Sequence, residues 1–290
     1  MSTTTFLEQL FQDRFSGAAL DPERRERLRA YAADRIGRFD AVSEGYLEDG
    51  RQRDLSVTFH WGHDHPLDGE TVIPGRMGRR HVEILARFMD AFGLERDLSG
   101  LRVLDIGAWT GGMSLILAAL GARVVALEEV RKYADTVNFL SELYGLRGRL
   151  ACVPESLYDF LPKHADAFDV IIYSGVIYHV TDPGLSLRMA FSALRDGGRC
   201  FVETAGHAAE ESVCLYEGHA VHHSGTAEER NRGGWNYYIP SPSCLARWAA
   251  DAGFQAVEVG PVQGDRIHAR LTRTAFTDFL RAGVSNTRVR

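Results

Sequence analysis

The chain is predicted to adopt an α/β fold, a doubly wound and mostly parallel sheet of seven strands with helices on both faces. Three observations predict it. Apolar runs alternate with helical patterns from residue 101 onward. A glycine turn, Gly107 to Gly112, follows the first apolar run. The next apolar run ends at Glu128, about twenty residues later. This order is typical of a sheet that binds a nucleotide-like ligand at the carboxyl ends of its strands.

Composition narrows the class of protein. The chain has 290 residues, 45% hydrophobic and 25% charged, which suits one α/β domain and a smaller addition. Its formal charge of −6 provides no general attraction to nucleic acid. We expect no membrane span and no secretion signal, because neither a long apolar run nor a basic leader with an apolar core is present. Four scattered cysteines without a C-x-x-C pair predict reduced thiols and a cytoplasmic protein.

Residues 1–95 are predicted to form an N-terminal cap of helices and loops. An amphipathic helix is expected over 4–15. A second helix starts at the cap Asp21-Pro22, and its apolar spacing runs on to Val42. Residues 56–76 mix turn residues with aromatic ones and predict an ordered loop or hairpin, before a helix over 78–93.

The loop carries His60, Trp61 and His63, which we expect to line a pocket, although a hydrogen-bonded structural cluster explains these histidines equally well. No metal is predicted, since the histidine spacing does not match a helical zinc motif and no Cys/His pair completes it.

Residues 96–274 are predicted to form the main domain. Its strands are expected at 101–105, 122–129, 150–153, 168–174, 199–203, 255–259 and 266–272, with helices at 113–120, 183–194 and 243–252. An insertion after the fifth strand, 205–240, lacks a clear period and is interpreted as a lid. The tail, 275–290, either docks as a short helix or contacts a second subunit, which would make the protein a homo-oligomer.

The glycine turn distinguishes two ligand classes. A dinucleotide site would show G-x-G-x-x-G, whereas here the spacing is Gly107-x-x-x-Gly111-Gly112 with Asp105 two residues before the first glycine. Asp-x-Gly with a later glycine resembles motif I of the class I methyltransferases that use S-adenosylmethionine (SAM). Trp109 replaces the usual middle glycine, and it either walls the methionine end of the cofactor or simply packs.

Four stretches in order resemble one branch of that family, the tRNA wobble-uridine carboxymethyltransferases and their small-molecule relatives. The resemblance covers about residues 57–273 and is carried by Val103–Trp109, Phe168–His179, Gly197–Thr204 and Trp235–Ser241 followed by Gly253-Phe254. The tRNA enzymes hold the extra carboxylate of carboxy-SAM with a lysine in a W-R-K-G-P-F segment. Trp61-Gly-His-Asp stands there in this chain, without a lysine, which favours ordinary SAM.

The resemblance implies a cofactor site. The turn would wrap the methionine end of SAM, Asp105 would orient the turn or the ammonium group, and the two oxygens of Glu128 would bind the ribose hydroxyls. Glu155-Ser156 would lie near the adenine, unless Glu155 caps the helix that follows. The cofactor-binding candidates are Asp105, Gly107, Ala108, Trp109, Gly111, Glu128, Glu155, Ser156, Ser174 and Gly175.

Catalytic and acceptor candidates follow the fourth strand and the insertion. His179 is the candidate base, because an unperturbed pKa of about 6.5 suits proton removal near neutrality; a structural histidine is the alternative. Tyr178 would contact the sulfonium region or the acceptor, or else pack in the core. The candidate acceptor-binding residues are His60, Trp61, His63, Trp235, Tyr237, Tyr238 and Arg266. Arg266 suits an acceptor carboxylate, and an ordinary surface ion pair explains it equally well.

These observations predict a SAM-dependent methyltransferase that methylates a small molecule, at oxygen before nitrogen or carbon, as in secondary metabolism. Nucleic acid is not an expected partner, since tRNA binding depends on phosphate contacts that an acidic chain disfavours. Two alternatives stay open: a tRNA wobble-uridine methyl- or carboxymethyltransferase, and a SAM-fold protein that binds without turnover.

Overall fold

The computed structural model describes residues 1–37, 39–40, 57–68, 71–217, 237–276, 279–281 and 284–286. Among these residues the helices are α1 (Thr3–Phe15), α2 (Pro22–Arg35), α3 (Arg80–Phe92), α4 (Gly112–Ala119), α5 (Arg131–Leu143), α6 (Leu157–Phe160), α7 (Pro183–Ala193) and α8 (Pro242–Ala252). No helix in the described ranges is both long enough and apolar enough to cross a membrane.

The strands of the described residues include a main set and several short pairs. They are β1 (Phe39–Asp40), β2 (Val57–Thr58), β3 (His65–Asp68), β4 (Thr71–Ile73), β5 (Arg102–Ile106), β6 (Arg123–Leu127), β7 (Leu150–Val153), β8 (Phe168–Ser174), β9 (Leu194–Ala205), β10 (Cys214–Tyr216), β11 (Tyr238–Pro240), β12 (Ala256–Val259), β13 (Arg266–Thr272), β14 (Phe279–Arg281) and β15 (Val284–Asn286).

Seven strands form one sheet in the order β12-β13-β9-β8-β5-β6-β7. The pairs β5–β8, β8–β9 and β6–β7 are parallel, whereas β13 runs antiparallel to both β9 and β12. The predicted doubly wound, mostly parallel sheet of seven strands is therefore confirmed. The run Val170–Tyr173 of β8 is buried throughout and shows why, since strands covered on both faces are continuously apolar.

The chain divides into two compact units. The first consists mainly of Met1–Gly100 and Ala108–Glu155, and the second mainly of Leu101–Gly107, Ser156–Ser224 and Gly234–Arg290. In the first unit α1 and α3 bury apolar residues such as Leu7, Leu85 and Phe88. The second unit contains β8, β9 and β13, whose ends carry the polar residues of interest below. The division into cap, main domain and tail stays a prediction.

Local signals placed most helix ends correctly. The Asp21 side chain accepts a hydrogen bond from the Arg24 amide at 2.8 Å, with Pro22 as the first helical residue. Gly93 ends α3 in the left-handed region, and Gly253 ends α8 likewise. The predicted hairpin within 56–76 is present as the antiparallel pair β3–β4.

One prediction was wrong, and in two other places one of two open alternatives was wrong. Helix α2 ends at Arg35 rather than continuing towards Val42, because Gly37 turns the chain at φ +77° and Phe39 starts a strand. In the tail, Phe279–Arg281 and Val284–Asn286 form the antiparallel pair β14–β15 instead of a short helix, and the alternative, contact with a second subunit, stays a prediction. Of the two alternatives for Glu155 the helix cap was wrong, because Ser156 caps α6 and its Oγ accepts a hydrogen bond from the Tyr158 amide at 3.3 Å. The place of Glu155 near the adenine stays a prediction.

Candidate active site

The glycine turn leaves β5 with two glycines in the left-handed region. Gly107 has φ +77° and Gly111 has φ +82°. A Cβ at Gly107 would also lie 2.3 Å from Cγ2 of Val176, so both the positive φ and this contact exclude a larger residue there. Helix α4 starts at Gly112, so its first amides are not committed to helical bonds.

Glu128 follows β6 and is already oriented by the turn. Its Oε2 accepts a hydrogen bond from the Trp109 amide at 2.9 Å, and its Oε1 accepts one from the Val130 amide at 3.0 Å. The first unit therefore holds this carboxylate in one orientation beside Ala108 and Trp109.

Trp109 packs against the 59–64 loop while its backbone takes a conformation typical of glycine. Its φ of +50° is unusual for a non-glycine residue and marks a locally strained turn. A Cβ at Gly62 would lie 2.8 Å from the indole Cδ2, so only glycine lets the loop approach. Two bonds fix the same loop: Gly62 donates to Thr110 Oγ1 at 2.9 Å, and the His60 amide donates to the Tyr133 hydroxyl at 3.4 Å.

Three histidines of the first unit form a buried cluster. The rings of His63 and His81 lie 4.5 Å apart, and His65 Nε2 is 2.9 Å from the Tyr144 hydroxyl. Burial, with a smaller contribution from Arg80, lowers the pKa of His63 to about 4, and burial lowers the pKa of His65 to about 3. The pKa of His81 is also well below its usual value, through burial and then the two other histidines. The cluster is therefore neutral near pH 7.

The second unit places three polar side chains at the carboxyl end of β8 and β9. Glu203 is 1% exposed and pairs in register with Ser174 on β8 and with His268 on β13. Its Oε2 accepts a hydrogen bond from the Ser174 hydroxyl at 3.3 Å, and its Oε1 lies 3.6 Å from Arg266 Nε. A buried carboxylate and a guanidinium thus sit at the end of the sheet where ligands of such folds bind.

Arg266 lies over the ring of Tyr178, with Cζ 5.1 Å from the ring centroid. Burial acts to lower the pKa of Arg266, but Tyr178 and Glu203 raise it, and the net shift is upward. Its Nε and Nη1 are buried and make no hydrogen bond within the described part of the chain. Because Nε lies beside the Glu203 carboxylate, Nη1 is the buried donor that a ligand can use.

Tyr178 and His179 lie in one 3-10 turn, Ile177–His179, with ring centroids 4.0 Å apart. The Tyr178 carbonyl accepts a hydrogen bond from the Tyr237 amide at 2.7 Å, which joins two predicted site segments of the second unit. Tyr178 is buried, whereas His179 is half-buried. Gly175, at φ +72°, donates its amide to the Glu203 carbonyl at 3.0 Å.

The other candidates are distributed over both units. Trp61 is buried, with its ring 6.2 Å from that of Phe59. Tyr238 packs between Tyr216 and Trp248. Asp105 is buried on β5, and Glu155 is half-buried after β7. Trp235 lies outside the described residues, as does much of the predicted lid. The remaining site assignments stay predictions.

Sequence reasoning missed two residues that organise these clusters. Tyr133 holds the 59–64 loop, and Glu203 joins Ser174 to Arg266. Glu203 had a signal, since it is the acid of the stretch Gly197–Thr204 that resembles the methyltransferase branch. An acid that ends an otherwise apolar strand is rarely buried without a partner.

These residues fit SAM as a ligand. Glu128 offers two oriented oxygens, which match a pair of vicinal ribose hydroxyls, and the turn has no side chain at Gly107 or Gly111 to obstruct a close approach. In the same unit as Glu128, the rings of Trp109 and Tyr133, 6.2 Å apart, provide aromatic surface suited to a cation such as a sulfonium. When bound, SAM supplies an electrophilic methyl group.

Comparison with known proteins agrees with this geometry. A ubiquinone biosynthesis O-methyltransferase of Xylella fastidiosa is 26% identical over 255 residues, which is 85% of this chain and 95% of that protein. A tRNA U34 carboxymethyltransferase of Desulfotalea psychrophila is 30% identical over 165 residues, 56% of this chain. The aligned part covers 48% of the tRNA enzyme, so the chain spans about half the length of that relative.

Solved structures agree at the level of the fold. The N-terminal domain of EvdMO1, crystallised in the presence of SAH and D-fucose, superposes with a TM-score of 0.50 at 16% identity, covering 87% of this chain and 96% of that one. The family model described as "Methyltransferase domain" matches residues 77–259. Because this match spans more than half of the chain, the protein belongs to the SAM-dependent methyltransferase domain family.

Proposed function

We propose that the protein transfers a methyl group from SAM to an oxygen atom of a small-molecule acceptor that carries an anionic group. The observation that carries the first half of this proposal is the orientation of Glu128 by the Trp109 and Val130 amides. A carboxylate held in this way needs no rearrangement to accept hydrogen bonds from the ribose, so little affinity is lost to ordering it. The four free cysteines agree with a cytoplasmic enzyme.

The acceptor half of the proposal is supported by Arg266. Its guanidinium is largely buried and charged, and its Nη1 lacks a hydrogen bond, while Nε lies beside Glu203 and Asp265. Buried donors without partners are costly, at about 1–3 kcal/mol each, and a carboxylate or phenolate of the acceptor would satisfy them. The relative from Xylella fastidiosa, a ubiquinone biosynthesis O-methyltransferase, is by name an enzyme of small-molecule O-methylation.

His179 is the proposed general base. It lies beside Tyr178 in the same turn and is half-buried, so it is both positioned and accessible. Methyl transfer to a hydroxyl releases a proton, and a neutral imidazole near the acceptor oxygen takes it up. The donor is already activated, so the remaining work of the protein is to align the reactants and exclude water.

Calorimetric titration with SAM tests the donor site. We expect Glu128→Gln to weaken SAM binding at least ~10-fold, since one charge-assisted acceptor is replaced by an amide that cannot accept at both positions. Glu129→Gln is the matched control, because it removes the neighbouring carboxylate and should leave the affinity within about 2-fold. Equal affinity in wild type and Glu128→Gln, or no binding at all, would overturn the donor assignment.

The second candidate function is tRNA wobble-uridine methylation or carboxymethylation. It is favoured by the identity of 30% to a tRNA U34 carboxymethyltransferase over 165 residues. The formal charge of −6 argues against it, because phosphate contacts provide most of the affinity for tRNA. A non-catalytic SAM-binding subunit remains the third possibility.

Labelling of a cell extract separates these candidates. The protein is incubated with methyl-labelled SAM and extract, which is then split into tRNA and a low-molecular-mass fraction, and the latter into anionic and neutral compounds. We expect the label in anionic small molecules. Label in tRNA would support the second candidate, and SAM binding without label in any fraction would support the third.

A further inference from the structure

The Arg266 guanidinium has two carboxylates near the same nitrogen, and they differ in environment. Nε lies 3.4 Å from Oδ1 of Asp265 and 3.6 Å from Oε1 of Glu203. The Asp265 side chain is 81% exposed, whereas that of Glu203 is 1% exposed. An exposed pair is screened by water and contributes little, so the buried carboxylate is the one able to fix the guanidinium.

Glu203 is itself held from the neighbouring strands. Ser174 on β8 donates its hydroxyl to Oε2, leaving Oε1 towards Arg266. The Glu203 carbonyl also accepts a hydrogen bond from the Gly175 amide, so two successive residues at the end of β8 are bonded to Glu203, one through its side chain and one through its backbone. Central strands are the most rigid part of such a fold, and a carboxylate anchored there has little freedom to move.

The geometry points to Glu203 as a positioning residue that fixes the Arg266 guanidinium over Tyr178, so that the remaining guanidinium donors face an anionic group of the methyl acceptor. Glu203 acts through Arg266 and does not itself touch the acceptor. A flexible arginine would lose rotamer freedom when it binds a ligand, whereas a guanidinium that is already fixed binds a planar carboxylate without that entropic cost.

This inference rests on the proposed function for its biological meaning, but its test does not require turnover. The Nε–H signal of Arg266 is followed by NMR in ¹⁵N-arginine-labelled protein and assigned by its loss in Arg266→Lys. Formate, the smallest carboxylate, is the probe, because it fits wherever a larger carboxylate fits. SAH binding by calorimetry is measured on the same samples and reports the donor site separately.

In the wild type we expect formate to shift the Arg266 signal in a saturable manner. Glu203→Gln should weaken the apparent formate affinity at least ~5-fold and speed exchange of the Nε proton with water. Asp265→Asn is the matched control, since it removes the other carboxylate near the same nitrogen, and it should leave both readouts unchanged. SAH affinity should be unchanged in Asp265→Asn.

Equal formate titrations in wild type and Glu203→Gln would overturn the inference, as would an effect of Asp265→Asn as large as that of Glu203→Gln. If Glu203→Gln does not fold, Ser174→Ala provides the second test. It removes the hydrogen bond that orients the carboxylate, and it should weaken formate binding by a smaller factor; no change would count against the inference. If the wild-type protein does not bind SAH, the proposed function is contradicted, whereas the formate titrations still test the role of Glu203.

Discussion

Two arginines stand at opposite ends of β13 and differ in how their donors are used. Arg273 follows the last residue of the strand and is 2% exposed. Its Nε donates to Asp196 at 2.9 Å, its Nη2 donates to Asp166 at 2.6 Å, and its Nη1 donates to the carbonyls of Phe191, Ser192 and Leu194. Arg266 opens the same strand, yet its Nε and Nη1 make no hydrogen bond to any described residue.

The difference separates a structural arginine from a binding one. Arg273 satisfies carbonyls at the end of α7, where a helix leaves acceptors without partners and where its dipole favours a cation. Arg266 stands at the carboxyl end of β9, the edge where folds of this kind bind ligands. A buried guanidinium with all donors used stabilises the fold, whereas one with donors left over is suited to recognising an anion.

The largest expected effect comes from removing the structural arginine. Arg273→Met should lower the free energy of unfolding by about 3 kcal/mol, because it leaves buried carbonyls without a donor while its two carboxylate partners are partly exposed. Urea denaturation measures this loss. SAH affinity of the folded variant should stay at the wild-type value, and a fall in affinity with no loss of stability would contradict the structural role.

Protonation of His65 is expected to destabilise the protein in acid, at pH values where both arginines stay charged. His65 has a folded pKa of about 3, below the unfolded value of about 6.5, so its contribution to stability is present above pH 6.5 and is lost as the pH falls towards 3. Between pH 6.5 and 5 this amounts to about 2 kcal/mol for one such histidine.

Denaturation at a series of pH values checks this dependence. His65→Phe should reduce the slope of unfolding free energy against pH by about one proton, whatever its effect on stability itself. A slope that stays at the wild-type value in this variant would mean that another group takes up the proton.

Exchanging the binding arginine for lysine should affect function more than stability. Arg266→Lys keeps the charge that Glu203 requires but loses the planar fork, so kcat/KM for an anionic acceptor should fall about 10- to 100-fold. Stability should change by less than about 1 kcal/mol. Steady-state kinetics with an acceptor from the anionic fraction measures the fall in kcat/KM. With a neutral acceptor, kcat/KM should not fall.

The sequence predicted the parts of the molecule that depend on local chemistry. Pro22 after Asp21 set the start of α2, and the glycines of the turn gave the positive φ angles that a sharp turn after β5 requires. Alternating apolar runs predicted the sheet because burial on both faces requires them. The predicted end of α2 was wrong, because Phe39, which continues the apolar spacing beyond Gly37, belongs to strand β1.

What the sequence could not predict depends on which residues meet through strand pairing. Glu203 and Ser174 are 29 positions apart and become neighbours only when β8 and β9 pair in parallel. The contrast between Arg266 and Arg273 is equally hidden in the sequence, because nothing in their flanking residues shows which groups each guanidinium meets in the fold. Trp109 was identified as unusual, but its packing on Gly62 depends on a loop far away in the chain.

The most direct test of this contrast measures label transfer per folded molecule for Arg266→Lys and Arg273→Lys side by side, at a temperature where both are folded. We expect Arg273→Lys to unfold at lower urea concentration yet to methylate the anionic fraction at the wild-type rate. Arg266→Lys should unfold at the same urea concentration as the wild type but transfer at least ~10-fold less label. Two results would contradict the account. One is label transfer by Arg266→Lys at the wild-type rate, and the other is a loss of label transfer in both variants in proportion to their loss of stability.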